Sequence, residues 1–192
     1  MSHSRLFDDG LVRCSWLNDD LLYRKYHDEE WGVAVTGDQA IFERITLEGF
    51  QAGLSWLTIL KRRETFRAAF SDFELSKVAT LTEADIDRLM LDPGIIRNRA
   101  KIVSTIGNAN KVLEMQANGE SISDLVWSFS PADAASNGAG FAWQATSPES
   151  QALSKELRRR GFGFVGPTTM YAMMQAIGMV QDHSPDCFRR NS

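Results

Sequence analysis

Apolar residues recur at helical spacing through most of the chain. Ile41, Phe42, Ile45, Phe50 and Leu54 form one amphipathic stripe, and Thr36-Gly-Asp-Gln39 in front of it has the form of a capping box. The spacing predicts a helix running through Glu48. Thr82-Glu-Ala-Asp85 opens a shorter helix carrying Ile86, Leu89 and Met90, and Pro93-Gly94 breaks it. A longer helix follows, striped by Ile102, Ile106, Ala109, Val112 and Leu113 and stopped at Asn118-Gly119. The order is helix, hairpin, helix. Residues 130–147 are small and polar, with Asn137-Gly138 and Gly140, and read as an exposed loop between two helical parts. Ser147-Pro148-Glu149 begins another helix with proline in its first position, and Gly161 ends it. Gly166-Pro167 begins the last, from about Thr168 to Met179, with an apolar stripe that reads as core. Strand patterns are scarce and no internal repeat is visible, so the fold class is all-α.

With 192 residues and 43% hydrophobic content, the chain can bury one substantial core or two small lobes sharing one. No run approaches the ~18 apolar residues of a membrane helix, and the opening decapeptide lacks an apolar secretion segment, so a cytoplasmic protein with no membrane partner is expected. The net charge of −4 argues mildly against nucleic acid as partner. Distribution matters more than the sum. Lys61-Arg62-Arg63, Arg97 to Lys101 and Arg158-Arg159-Arg160 are basic, while acids gather at Asp19 to Glu30 and Asp72 to Asp87. A polarised surface and a set of solvated helix faces both fit this pattern.

The chain has two Cys and three His, and four of these five fall into two groups, Cys14 with His27 and His183 with Cys187. Thiolate sulfur and imidazole nitrogen suit tetrahedral Zn²⁺. A closed set of two of each leaves no position for water, so such a site would be structural and would tie the two ends of the chain together. Buried cysteines with surface histidines fit the same residues, as does a Cys14–Cys187 disulfide, although a cytosolic setting disfavours the disulfide.

Around His27 the sequence is dense in aromatics: Trp16, Tyr23, Tyr26 and Trp31, followed by Trp56 after the first long helix. Flat rings suit a flipped nucleobase, and a cationic base gains cation–π attraction of roughly 0.5–2 kcal/mol. Glu48 lies between them, and a carboxylate there would accept from an exocyclic amine and favour positive charge. An ordinary aromatic core with Glu48 exposed is the competing reading.

Arg13-Cys-Ser-Trp16, Tyr23-Arg-Lys-Tyr-His-Asp-Glu-Glu-Trp-Gly32 and Leu47-Glu-Gly-Phe-Gln-Ala-Gly-Leu-Ser-Trp56 resemble the bacterial 3-methyladenine DNA glycosylase I family. Gly94-Ile-Ile-Arg-Asn-Arg-Ala-Lys-Ile102, Val126-Trp-Ser-Phe129, Arg160-Gly-Phe-Gly-Phe-Val-Gly166 and the closing His183 with Cys187 continue the match. These are long motifs in the right order. The resemblance implies a helix-hairpin-helix glycosylase fold, with one zinc held by Cys14, His27, His183 and Cys187 joining the N- and C-terminal segments. Residues 13–188 would form a single helical unit, with 1–12 and 189–192 as tails. It implies that Glu48 and Tyr26 contact the excised base, that Trp56 stacks on it, and that Trp16, Tyr23 and Trp31 complete the walls. The hairpin from about Leu89 to Lys101 would meet DNA phosphates, with Gly94 and Lys101 among its contacts, and Leu54 would fill the gap left by the flipped base. Alkylated double-stranded DNA is the implied partner, 3-methyladenine the product, and a monomer the expected state.

Two features depart from the family. Phe50 stands where Gln is common, and 130–147 matches nothing, yet neither is expected to touch a ligand or base contact. N3-methylated adenine is cationic in DNA and leaves as a neutral base, so the enzyme must chiefly position and stabilise charge. An ionised Glu48 would pair with the adenine amine and repel the guanine carbonyl. No equivalent of the superfamily's water-activating Asp is identified. Lys25, the one lysine in the pocket motifs, should face away, so no lyase activity is expected.

Overall fold

The computed structural model describes residues 3–132 and 143–191. Asn137-Gly138 and Gly140 lie outside the described residues. Strands β1 (Ser4–Leu6) and β2 (Val12–Cys14) pair antiparallel, with Ser4 opposite Cys14 and Leu6 opposite Val12. Helices follow: α1 (Leu21–Glu29), α2 (Asp38–Gln51), α3 (Trp56–Leu60), α4 (Arg63–Ala69), α5 (Leu75–Ala79), α6 (Glu83–Leu91), α7 (Arg99–Ala117), α8 (Ile122–Trp127), α9 (Pro148–Arg159) and α10 (Pro167–Ala176). The protein is mostly helical. No helix among the described residues is long and apolar enough to cross a membrane.

Helix α2 is the central element, packed against α3, α7, α8 and α10. Its apolar stripe, Ile41, Phe42, Ile45 and Phe50, is buried in one core with Phe66, Phe70, Phe73, Ile102 and Met170. Phe50 belongs wholly to this core: its ring centroid lies 4.7 Å from Phe66 and 6.1 Å from Phe70. The pocket helix is thereby fixed on the face opposite the cavity.

The start of α2 differs from the expected capping box. Gly37, at φ +90°, is the cap residue and brings no side chain to the helix. Asp38 instead serves a second helix, accepting from Ser121 Oγ at 2.6 Å and from the Ser123 amide at 3.0 Å, while Ser123 Oγ accepts from the Gly37 amide at 3.0 Å. A tertiary partner displaced the local one, and the two helix N-termini cap each other. Elsewhere the local signals hold. The Thr82 amide donates to Asp85 Oδ2 at 2.9 Å, Ser147 Oγ accepts from the Ser150 amide at 3.1 Å, and Pro148 opens α9.

The last helix is shorter than its apolar stripe suggested, ending at Ala176 rather than Met179. Gly178 sits at φ +73°, where a Cβ would come within 2.6 Å of the Gly32 carbonyl. Only glycine permits this approach. It brings the C-terminal segment against the turn after α1, where the cysteines and histidines meet.

Candidate active site and metal centre

Cys14 closes β2, His27 lies in the last turn of α1, and His183 and Cys187 follow α10; all four are buried. Cys187 Sγ lies 3.5 Å from His27 Nε2 and 3.5 Å from His183 Nδ1, and Cys14 Sγ lies 3.7 Å from His183 Nδ1. Tetrahedral zinc with bonds of about 2.3 Å to sulfur and 2.0–2.1 Å to nitrogen requires S···N edges of about 3.5 Å. The donor set and its spacing therefore fit such an ion, and all four donor atoms lie within 4.8 Å of one another. Both cysteines are free thiols, so the disulfide alternative is not realised.

The outer partners orient the rings. His27 Nδ1 lies 2.8 Å from Asp28 Oδ1, leaving Nε2 to face the cluster, and His183 Nε2 lies 3.3 Å from the Trp31 carbonyl, leaving Nδ1 to face both sulfurs. Asp28 is held in turn by Arg13, whose guanidinium donates to it at 2.7–3.1 Å.

Against this cluster lies a cavity of about 190 Å³. Trp16, Tyr23, Tyr26, Trp31, Glu48 and Trp56 all line it. The rings are mutually braced: Trp16 lies 5.1 Å from both Tyr23 and Trp31, and Tyr26 lies 5.4 Å from Trp56. Two of them also touch the histidines, with Trp31 4.6 Å edge-on to His183 and Trp16 5.4 Å from His27. The cysteine–histidine cluster thus lies behind two of the cavity's aromatic walls, so that ordering the cluster braces Trp16 and Trp31.

Glu48 is 3% exposed, and among the described residues no hydrogen bond reaches its carboxyl. Burial pushes its pKa up to about 8, only partly offset by Arg44 one turn earlier on α2. At neutral pH the acid is therefore mostly protonated in the free protein. In that state the acid can donate as well as accept, and the acceptor-only pairing expected of Glu48 applies once it is ionised. Nearby, burial and the Glu48 charge push Tyr23 up to about 12, and Trp56 Nε1 is buried with no hydrogen-bond partner among the described residues.

Four further residues line the cavity: Gln51, Trp143, Ala172 and Gln175. The sequence singles out none of them; Gln51 stands one turn beyond Glu48, and Ala172 and Gln175 are one turn apart on α10, so helical spacing places them on shared faces without marking them as cavity residues. Trp143 lies in the segment expected to touch no base contact, where no period exists to read.

Leu54 lies three residues past the end of α2 and is exposed, in a turn where its amide donates to the Gln51 carbonyl at 2.7 Å. The Gln51 side chain donates to the Leu54 carbonyl at 2.8 Å, so the turn is fastened to the cavity wall. The hairpin between α6 and α7 is less open than expected. The Gly94 amide donates to Asp92 Oδ1 at 2.7 Å, its carbonyl accepts from Thr65 Oγ1, and a Cβ would press on Thr65 at 3.0 Å. Glycine is needed there for close packing on α4. Lys101 is buried, and its Nζ donates to the Phe50 and Ala52 carbonyls at 2.9 Å each. Its ammonium caps the C-terminus of α2 rather than standing free for phosphate. Asn98 caps α7 through the Lys101 amide, while Arg97 is exposed and forms no ion pair among the described residues. Most of the basic clusters are neutralised: Lys61 pairs with Asp20, Arg63 with Glu30, and Arg159 and Arg160 with Glu156.

The methyladenine glycosylase family matches residues 16–190. The chain is 50% identical over 185 residues to DNA-3-methyladenine glycosylase 1 of Escherichia coli (strain K12), covering 92% of this chain and 96% of that one. It is 46% identical over 178 residues to DNA-3-methyladenine glycosylase of Haemophilus influenzae, covering 92% and 96%. A crystal structure of 3-methyladenine DNA glycosylase I superposes with a TM-score of 0.83 at 46% identity, over 92% of this chain and 98% of that chain. A tyrosine-to-phenylalanine variant of such an enzyme, crystallised with 3-methyladenine, superposes with a TM-score of 0.84 at 37% identity, over 93% and 97%. The chain belongs to the methyladenine glycosylase family.

Proposed function

We propose that the protein is a DNA-3-methyladenine glycosylase, which draws an N3-methylated adenine out of alkylated double-stranded DNA and hydrolyses its glycosidic bond. The observation that carries this reading is Glu48, a buried acid at the wall of an aromatic box with no hydrogen-bond partner among the described residues. An apolar core has no use for such a group, whereas a cation entering the box favours its ionised form. Entry of the cationic base therefore expels the Glu48 proton, and the carboxylate accepts from the exocyclic amine. Tyr26 and Trp56 flank the base, and Trp16, Tyr23 and Trp31 complete the walls. The C1′–N9 bond then breaks with its electron pair passing to the base, which departs neutral. Water adds to C1′, loses a proton to solvent and leaves an abasic site.

Among the described residues the cavity lining includes no lysine, and Lys25 is exposed beside Glu29, so the chemistry stops at hydrolysis. Cys14, His27, His183 and Cys187 would hold a structural Zn²⁺ that joins the chain termini. The α6–turn–α7 unit serves as the helix-hairpin-helix anchor through exposed backbone and Arg97, and Leu54 fills the space of the flipped base. The protein works as a cytoplasmic monomer.

The test is chromatography of bases released from methylated duplex DNA, with strand breakage scored in parallel. The reading requires 3-methyladenine as the main product, little 7-methylguanine and no strand cleavage. Release of 7-methylguanine at a comparable rate would overturn it.

A further inference from the structure

Gln175 lies on α10 at the cavity wall. Its amide nitrogen donates to Asp182 Oδ2 at 2.7 Å, and the Tyr171 hydroxyl donates to the same oxygen at 2.7 Å. Asp182 is 3% exposed and precedes His183, so the segment that presents it is fastened by the cysteine–histidine cluster. A carboxylate oxygen accepts and does not donate, which fixes the orientation of the Gln175 amide: nitrogen on Asp182, carbonyl oxygen elsewhere. That oxygen has no hydrogen bond among the described residues, and it is not sealed in the interior.

We propose that Gln175 is a specificity-determining residue, whose side-chain carbonyl, pinned by Asp182, accepts from the exocyclic amine of the bound base. The proposal rests on the 3-methyladenine reading above and deepens it. Glu48 alone discriminates poorly at the moment of entry, because a protonated acid offers an O–H that can meet a guanine carbonyl as readily as its C=O meets an adenine amine. Gln175 has only an acceptor to present. A purine with a carbonyl at that edge would bury two acceptors against each other with no proton between them, the kind of mismatch that gives polar sites their selectivity.

The test uses duplexes carrying 3-methyladenine or 3-methylguanine, which share the methyl group and the positive charge and differ at the amine edge. The ratio of kcat/KM for the two is measured in wild type, Gln175→Met and Asp182→Asn. Gln175→Met keeps the length and loses the acceptor; Asp182→Asn can donate as well as accept, so the Gln175 amide is free to turn over. Wild type favours 3-methyladenine, and the ratio falls on the order of tenfold in each variant. If Gln175→Met fails to fold, Asp182→Asn decides alone. An unchanged ratio, an equal loss on both substrates, or no preference in wild type overturns the proposal. Glu48→Ala separates the two claims: wild-type release by that variant sinks the underlying reading, whereas an inactive Glu48→Ala beside an unchanged Gln175→Met ratio sinks this proposal alone.

Discussion

Burial sets the protonation of Glu48, and protonation links recognition to stability. Unfolded, its carboxyl titrates near 4.5; folded, it titrates at about 8. Between those values the folded state holds the extra proton, so the contribution to stability is full at low pH and is lost as pH rises, by about 1.4 kcal/mol per unit. Glu48→Gln keeps the shape and has no proton to lose. Its stability advantage over wild type should therefore grow between about pH 5 and pH 8 and level off above, as denaturant melts at several pH values would show. A constant difference across that range would mean that the acid is not held neutral by the fold. The sequence placed Glu48 among the aromatics but not its protonation state, because its burial depends on α10, from a distant part of the chain, packing against α2 at the cavity.

At the scale of elements, the pocket helix ends where its neighbours take over its polar groups. Lys101, drawn from a basic cluster, turns inward to the α2 carbonyls, and Gln51 ties the Leu54 turn to the cavity wall. Leu54→Gly should lower excision from duplex DNA on the order of tenfold while leaving excision from single strands nearer wild type, since only the duplex resists extrusion of the base. Equal activity on both strands relative to wild type would remove Leu54 from base extrusion. Helix positions were largely legible: Thr82, Asn118-Gly119, Ser147-Pro148 and Gly161 punctuate the chain through local chemistry that persists in the fold. Thr36 misled because Asp38 found Ser121 and Ser123, 83 and 85 residues away, and no local pattern encodes such a partner. The fate of Lys101 was hidden for the same reason, since a charge run reads identically whether its members face solvent or a helix end.

For the whole molecule, the cluster of Cys14, His27, His183 and Cys187 fastens the two ends of the chain and backs the aromatic box through Trp16 and Trp31. Elemental analysis of protein purified without chelator should find one zinc per chain. His183→Ala should lose it and lower Tm on the order of 10 °C, because a closed structural site contributes folding free energy. Absence of zinc from the wild type would refute the metal assignment. These four residues stood out in the sequence because the chain has so few of their kind, and the motifs that resemble the glycosylase I family run through the same positions. Gln175 did not stand out, since its orientation depends on Asp182 across a glycine turn that no periodicity reveals. The central claim is that Glu48 recognises the cationic base and that DNA binding and folding reside elsewhere. Its most direct test is release of 3-methyladenine from alkylated duplex DNA by Glu48→Ala, measured beside DNA affinity and Tm. Release should fall by at least about a hundredfold, as expected on losing a principal electrostatic contact, while affinity and Tm at neutral pH do not fall. Near wild-type release by the variant would contradict that claim.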